Sequence, residues 1–215
     1  MARASGPRQS SYEAWNAWET PNLAPRERFT YRHYRTWPES ERWELIEGQA
    51  WAMSPAPRRQ HQRLAHRLAT ELGMFLKGKP CEAYEAPFDV LLPEGDEADD
   101  EVDTVVQPDI LVYCDRSKLT EAGGRGAPDL VIEILSPSTS RKDQKEKFDL
   151  YEKHGVREYW VVDPAGKWLC VYRLRADGKY DDGALRETIR DYSPVASSVL
   201  EGFRVDPEEL FADLD

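Results

Sequence analysis

The sequence predicts an α/β (α+β) fold, a sheet flanked by helices, and three observations predict it. Five runs rich in β-branched and aromatic residues, "CEAYEAPFDVLL", "VVQPDILVYC", "PDLVIEIL", "EYWVVD" and "WLCVYRL", are each bounded by Pro, Gly or Asp and read as strands. Two other stretches carry helical periodicity. The 215 residues are enough for one sizeable core.

Taken in chain order, residues 1–28 lack the continuous apolar core of a secretory signal and are expected to form a mobile leader, with residues 29–215 as a single domain. "RWELIEGQAWAMSP" reads as a hairpin turning at Glu47 and Gly48. "HQRLAHRLATELGMFLKG" spaces Leu64, Leu68, Leu72 and Phe75 on one helical face, with Gly78 as the stop and Arg63 and Arg67 on the other face. A second helix is expected from about Ser140 to His154, ending at Gly155, with Ser138, Thr139 and Ser140 as possible caps. "DPEELFADLD" reads as a short last helix opened by Asp-Pro.

Composition excludes several classes of function. No run approaches the roughly twenty apolar residues of a membrane-spanning helix. Cys81, Cys114 and Cys170 are odd in number and widely spaced, so neither a zinc site nor a disulfide framework is expected, and a reducing cytoplasm fits. The net charge of −11 opposes long-range attraction to nucleic acid. Much of it lies in "PEGDEADDEVD", expected to be a solvated loop because it lacks the ligand spacing of a calcium loop.

One stretch asks for chemistry: "APDLVIEILSPSTSRKDQKEKFDLY", residues 127–151. Alternation puts Asp129, Val131, Glu133 and Leu135 on one face of its strand. A carboxylate there needs a partner, since burying it bare costs several kcal/mol or forces its neutralisation. Asp109, opening the strand after Pro108, can supply a second carboxylate, and a divalent cation is the simplest way to keep both ionised. In the following helix, with Tyr151 at zero and about 100° per residue, Lys147 falls near −40°, between Phe148 near +60° and Leu150 near −100°. Lys145 and Lys142 fall near 120° and 180°, on the solvent side. Asp143, Lys147 and Tyr151 therefore form a stripe aimed at the sheet.

These residues resemble the PD-(D/E)XK phosphodiesterase superfamily, and within it the Uma-type branch grouped with the restriction endonucleases. The resemblance runs from about Trp43 to Tyr172 and rests on "WELIEG", "MSPAPRRQHQ", "APFDV", "QPDILV", the block "GAPDLVIEILSPSTSRKDQKEKFDLYEKHGVREYWVVDP" and "VYRL". It implies a restriction-endonuclease-like fold, a central mixed sheet of about four or five strands flanked by helices. By its pattern the "PD" aspartate is Asp109 and the acidic member of (D/E)XK is Glu133. The lysine two positions on is replaced by Leu135, and the branch supplies it from the next helix, here at Lys147.

The chemistry so implied is hydrolysis of DNA phosphodiester bonds, with Asp109, Glu133 and the carbonyl of Ile134 holding Mg²⁺ or Mn²⁺. Glu44 resembles the N-terminal acidic residue of the pattern, with an exposed edge-strand position as the competing reading. His61 matches an active-site neighbour or else a helix cap. Arg58, Arg59, Arg63 and Arg67 could contact phosphate, with Lys142 and Lys145 on a second edge, or form a solvated face. Asp89 reads as a residue behind the site or at a strand end, Asp129 as a strand opener, Asp143 as a partner for Lys147, Tyr151 as packing and Glu47 as a turn residue. The alternatives to an endonuclease are a catalytically inactive nuclease fold acting as a binding module and another Mg²⁺-dependent phosphate hydrolase. A homodimer fits the task of double-strand cleavage.

Overall fold

The computed structural model describes residues 27–38, 40–53, 58–136, 141–181, 184–187 and 193–214, the side chains of 141–143 and 184–187 excepted. In chain order its strands are β1 (Trp43–Ile46), β2 (Gln49–Ala52), β3 (Glu82–Glu85), β4 (Val90–Leu91), β5 (Val105–Val106), β6 (Ile110–Tyr113) and β7 (Leu119–Thr120). They continue as β8 (Gly123–Arg125), β9 (Leu130–Ile134), β10 (Glu158–Asp163), β11 (Trp168–Arg173), β12 (Ala184–Glu187), β13 (Val195–Ala196) and β14 (Arg204–Val205). The α-helices are α1 (Tyr31–Tyr34), α2 (Arg59–Leu76), α3 (Arg141–His154) and α4 (Pro207–Leu210). The predicted leader is almost wholly outside the described residues, as are the candidate caps 138–140.

The larger sheet has the order β12-β11-β10-β9-β6-β3 and is mixed. Its parallel pair is β9 and β10, joined by α3, because parallel neighbours need a crossover and a helix supplies it. Both faces are covered. Alternation sends Ile110, Val112, Leu130, Ile132 and Trp160 toward Leu64, Leu68, Leu72 and Leu76 of α2. It sends Leu111, Tyr113, Val131 and Tyr159 toward Leu150 and Tyr151 of α3. Each such leucine contributes about 1.5–3 kcal/mol by burial, which holds both helices against the sheet and fixes what they carry.

A second sheet of short strands, in the order β2-β1-β5-β4-β8-β7, was not expected. It arises because two predicted strands break at prolines. "CEAYEAPFDVLL" divides at Pro87 into β3 and β4, and "VVQPDILVYC" divides at Pro108 into β5 and β6, the halves entering different sheets. Proline has no N–H for a ladder, so the chain changes partners there. Asp109 thus stands where the two sheets meet. The hairpin of β1 and β2 turns as predicted, with φ of 47° at Glu47 and 76° at Gly48, the left-handed pair of a two-residue turn.

Two further expectations are corrected. The acidic stretch is docked: Asp103 binds Arg28, Asp100 meets Arg32 and Arg35, and Asp99 meets Arg125. Its Asp99–Glu101 forms a 3₁₀ turn. Cys81 and Cys114 are joined by a disulfide, because the β3–β6 register of Glu82 with Tyr113 continues to that pair across a separation of 33 residues. Cys170 is free and buried. Among the described residues no helix is long and apolar enough to cross a membrane.

Candidate active site

The register of β6 against β9 pairs Ile110 with Ile132. Continued by one residue, it sets Asp109 opposite Glu133, on neighbouring strands whose facing residues stand about 5 Å apart. The alternation that buries Val131 turns Glu133 toward α3. There its Oε1 accepts a hydrogen bond from Lys147 Nζ at 2.8 Å and from the Tyr151 hydroxyl at 2.6 Å. Lys147 also donates to Glu44 Oε1 at 3.0 Å. The inward lysine read from the helical angle is therefore a bridge between two carboxylates, and it reaches them because Leu150 and Tyr151 anchor its helix.

Glu44 is buried, contrary to the exposed-edge reading, because β1 lies between β2 and β5 in the second sheet. Its Oε1 also accepts the backbone N–H of Gln107 at 3.0 Å. The Gln107 side chain in turn donates to the Tyr34 hydroxyl and to Asp89, and accepts from Arg42. Asp89 thus anchors the network behind the site. Gln107, Tyr34 and Arg42 were not read as site residues, and the only sequence signal for Gln107 is its place before Pro108-Asp109.

On the opposite side, Asp109 Oδ2 accepts the Ile134 backbone N–H at 2.8 Å and lies 3.2 Å from His61 Nε2. His61 is the third residue of α2 and buried, so it does not cap the helix, whose N-cap is Arg58. Its Nδ1 is buried without a hydrogen-bond partner among the described residues. Burial pulls the His61 pKa down, but the hydrogen bond to Asp109 and the charges of Asp109 and Glu133 outweigh it and leave the group raised.

Glu133 is pushed up to about 7, first by burial and then by the charges of Asp109 and Glu44, against the pull of Lys147. Burial alone would lower Lys147, yet the two carboxylates hold it well above the ordinary lysine range. The ammonium is therefore charged, and the cluster is still rich in negative charge. The described hydrogen bonds fall on Oδ2 of Asp109 and Oε1 of Glu133, and the second oxygen of each carboxylate takes none of them.

Among the described residues no three His, Cys, Asp or Glu side chains gather into a ready metal-binding group. The chemistry of the donors still fits one kind of ion: carboxylates at facing ladder positions on neighbouring strands would suit a hard cation that keeps several waters, as Mg²⁺ does.

Arg63, Arg67, Lys145, Asp129 and Glu47 do not join this cluster. Arg67 donates to the carbonyls of Leu210 and Ala212, and Arg63 meets Asp213 at 3.8 Å, so these two arginines brace the C-terminal segment. Lys145 is exposed as expected. The side chains of Lys142 and Asp143 lie outside the described residues. Asp129 opens β9, accepting from the Cys114 N–H and from Arg157. Glu47 remains at its turn and binds Lys153. Tyr151, assigned to packing, contacts the site directly through its hydroxyl. A tyrosine in an apolar stripe gives no hint that its hydroxyl has a carboxylate to meet.

The chain is 28% identical over 163 residues to the uncharacterized protein slr1290 of Synechocystis sp., a match covering 74% of this chain and 78% of that one. Its fold is similar to the crystal structure of a protein from Anabaena variabilis described as "a putative nuclease belonging to DUF820", with a TM-score of 0.68 and 23% identity. That similarity covers 86% of this chain and 99% of the other. Residues 31–208 match the Uma2 family, described as "Putative restriction endonuclease". With a match of that extent, the chain belongs to the Uma2 family and has its restriction-endonuclease-like fold.

Proposed function

We propose that the protein is a metal-dependent endonuclease that hydrolyses DNA phosphodiester bonds, with Asp109, Glu133 and Lys147 at its centre. The observation that carries this reading is the Lys147 ammonium bound to both Glu44 and Glu133 on the strand facing Asp109. Two carboxylates that repel one another are kept together with a buried cation beside them, an arrangement a merely structural core does not need.

Asp109, Glu133 and the Ile134 carbonyl would hold Mg²⁺ or Mn²⁺. When bound, such an ion supplies a water of lowered pKa and positive charge for the phosphate. The chain's own residues do the rest. Lys147 has three N–H donors, two of which are spent on the carboxylates. The third is available for a phosphate oxygen or the attacking water, at a place where charge builds up in the transition state. Tyr151 fixes the direction of Glu133, and His61 together with the Ile134 N–H fixes Asp109. Gln107 holds Glu44 from behind.

A second reading is favoured by the net charge of −11 and by the absence of a ready three-ligand cluster among the described residues: a nuclease fold that binds without cutting. Incubation with plasmid and with single-stranded DNA, in Mg²⁺ and in Mn²⁺, separates the two. Nicking or linearisation that EDTA abolishes supports the endonuclease, and intact DNA across both metals and both substrates supports the binding module.

A further inference from the structure

Beside the site, α3 and the β10–β11 hairpin border an open hollow of about 340 Å³. That is within the range of pockets for small organic ligands. Its walls include Phe148 of α3, Val161 of β10, and Trp168 and Tyr172 of β11, with Gln144 and Lys145 at the rim. Gln144 and Phe148 stand at i and i+4, on the helical stripe adjoining that of Lys147 and Tyr151. Val161 is the cross-strand neighbour of Glu133 in the parallel pair. The hollow therefore adjoins the strand that carries the carboxylate, neighbouring strands lying about 4.8 Å apart.

We infer that this hollow is a subsite for an unpaired nucleobase of the strand being cut. The identity of that strand rests on the endonuclease reading above. Trp168 carries the argument. Tyr172 already makes ring contacts with Phe148, Tyr159 and Tyr180, whereas Trp168 has no ring partner among the described residues. Its indole lies over the turn at Gly166, where a Cβ would stand 2.5 Å from Trp168 Cδ1. Glycine therefore lets the indole settle beside the hollow.

Paired bases cannot reach such a ring. An unpaired or extruded base can, and stacking on an aromatic side chain is sequence-tolerant because every base has a π face. Lys145, exposed at the rim, gives the adjoining phosphate one local partner.

The test is fluorescence titration of the full chain in EDTA with a short single-stranded DNA carrying 2-aminopurine, alongside its RNA counterpart, its duplex and an abasic version. The expected result is quenching with the single strands, with binding at least five-fold weaker for the duplex and the abasic strand. Trp168→Leu, which keeps apolar bulk without the ring, should remove the quenching and weaken binding five-fold or more, and Trp168→Phe should retain both. If Trp168→Leu does not fold, the wild type still decides, since an abasic strand bound as tightly as the intact one overturns the subsite. Absence of quenching in the wild type, or a folded Trp168→Leu that binds and quenches like the wild type, overturns the subsite. Plasmid cleavage is scored separately. Cleavage without quenching removes the subsite and leaves the nuclease, whereas quenching without cleavage does the reverse.

Discussion

Lys147 Nζ lies 2.8 Å from Glu133 Oε1, joining the middle of one helix to the C-terminal end of one strand through a buried ion pair. Neither charge is independent of the other. Glu44, 3.0 Å from the same ammonium, makes the pair a triad with one positive and two negative members.

Removing the cation alone should therefore be costly. Lys147→Ala leaves two buried carboxylates facing each other, and breaking a buried pair in this way costs about 3–5 kcal/mol. Replacing both partners, as in Glu133→Gln with Lys147→Met, should recover at least half of that loss. Urea denaturation of the two variants beside the wild type measures it, and equal losses would mean that the triad is not coupled.

Stability of the metal-free protein should fall as pH rises. Glu133 has its folded pKa raised to about 7, above its ordinary value of 4.5, chiefly by burial. A raised acid contributes its stability fully below the unfolded pKa and loses it as pH climbs through the folded one, here between about 4.5 and 7. The loss is at most about 3 kcal/mol. Melting temperatures measured in EDTA across that window should decline in the wild type relative to Glu133→Gln, and parallel curves would contradict the raised pKa.

Mn²⁺ should act in the opposite direction. Ligand that binds only the folded state stabilises by about 2.7 kcal/mol at a hundred times its dissociation constant. The rise in melting temperature should be larger at pH 8 than at pH 6, because the ion must compete with the Glu133 proton. It should vanish in Asp109→Ala. A rise preserved in that variant would place the metal elsewhere.

Tyr151→Phe deletes one donor to a charged oxygen and leaves the ring in place. The expected cost is about 1.5–3 kcal/mol of stability. Because the lost bond favours the ionised carboxylate, the Glu133 pKa should rise and the acid limb of any cleavage profile should move to higher pH. An unmoved limb would reduce Tyr151 to packing.

Arg67→Ala provides the contrast. Its guanidinium ties Leu210 and Ala212 to α2, so the variant should lose about 1–2 kcal/mol of stability. DNA binding should stay unchanged, and a drop in affinity would restore the arginines of α2 as a phosphate-contacting edge.

How much of this was legible in the sequence follows from how far each signal reaches along the chain. The leucine spacing of α2, the hairpin at Glu47-Gly48 and the inward angle of Lys147 are local patterns, and each corresponds to the structure. Asp109 and Glu133 pair by pattern, and the β6–β9 register, continued by one residue, gives that pairing a geometric basis. The second sheet was not legible, because Pro87 and Pro108 sit within runs that read as continuous strands. The disulfide and the docking of the acidic turn on arginines are contacts between segments far apart in sequence. Gln107 and Tyr151 were missed for another reason: their residue types are common in cores, and only the neighbours brought by folding give their polar atoms a role.

The most direct test of metal-dependent cleavage at this cluster is the rate of plasmid nicking in Mn²⁺ by wild type, Asp109→Asn and the Glu133→Gln, Lys147→Met double variant, each checked to be folded. The predicted result is nicking by the wild type alone, abolished by EDTA, with at least a hundred-fold loss in both variants. Nicking that survives in either variant at the wild-type rate, or that persists in EDTA, would contradict it.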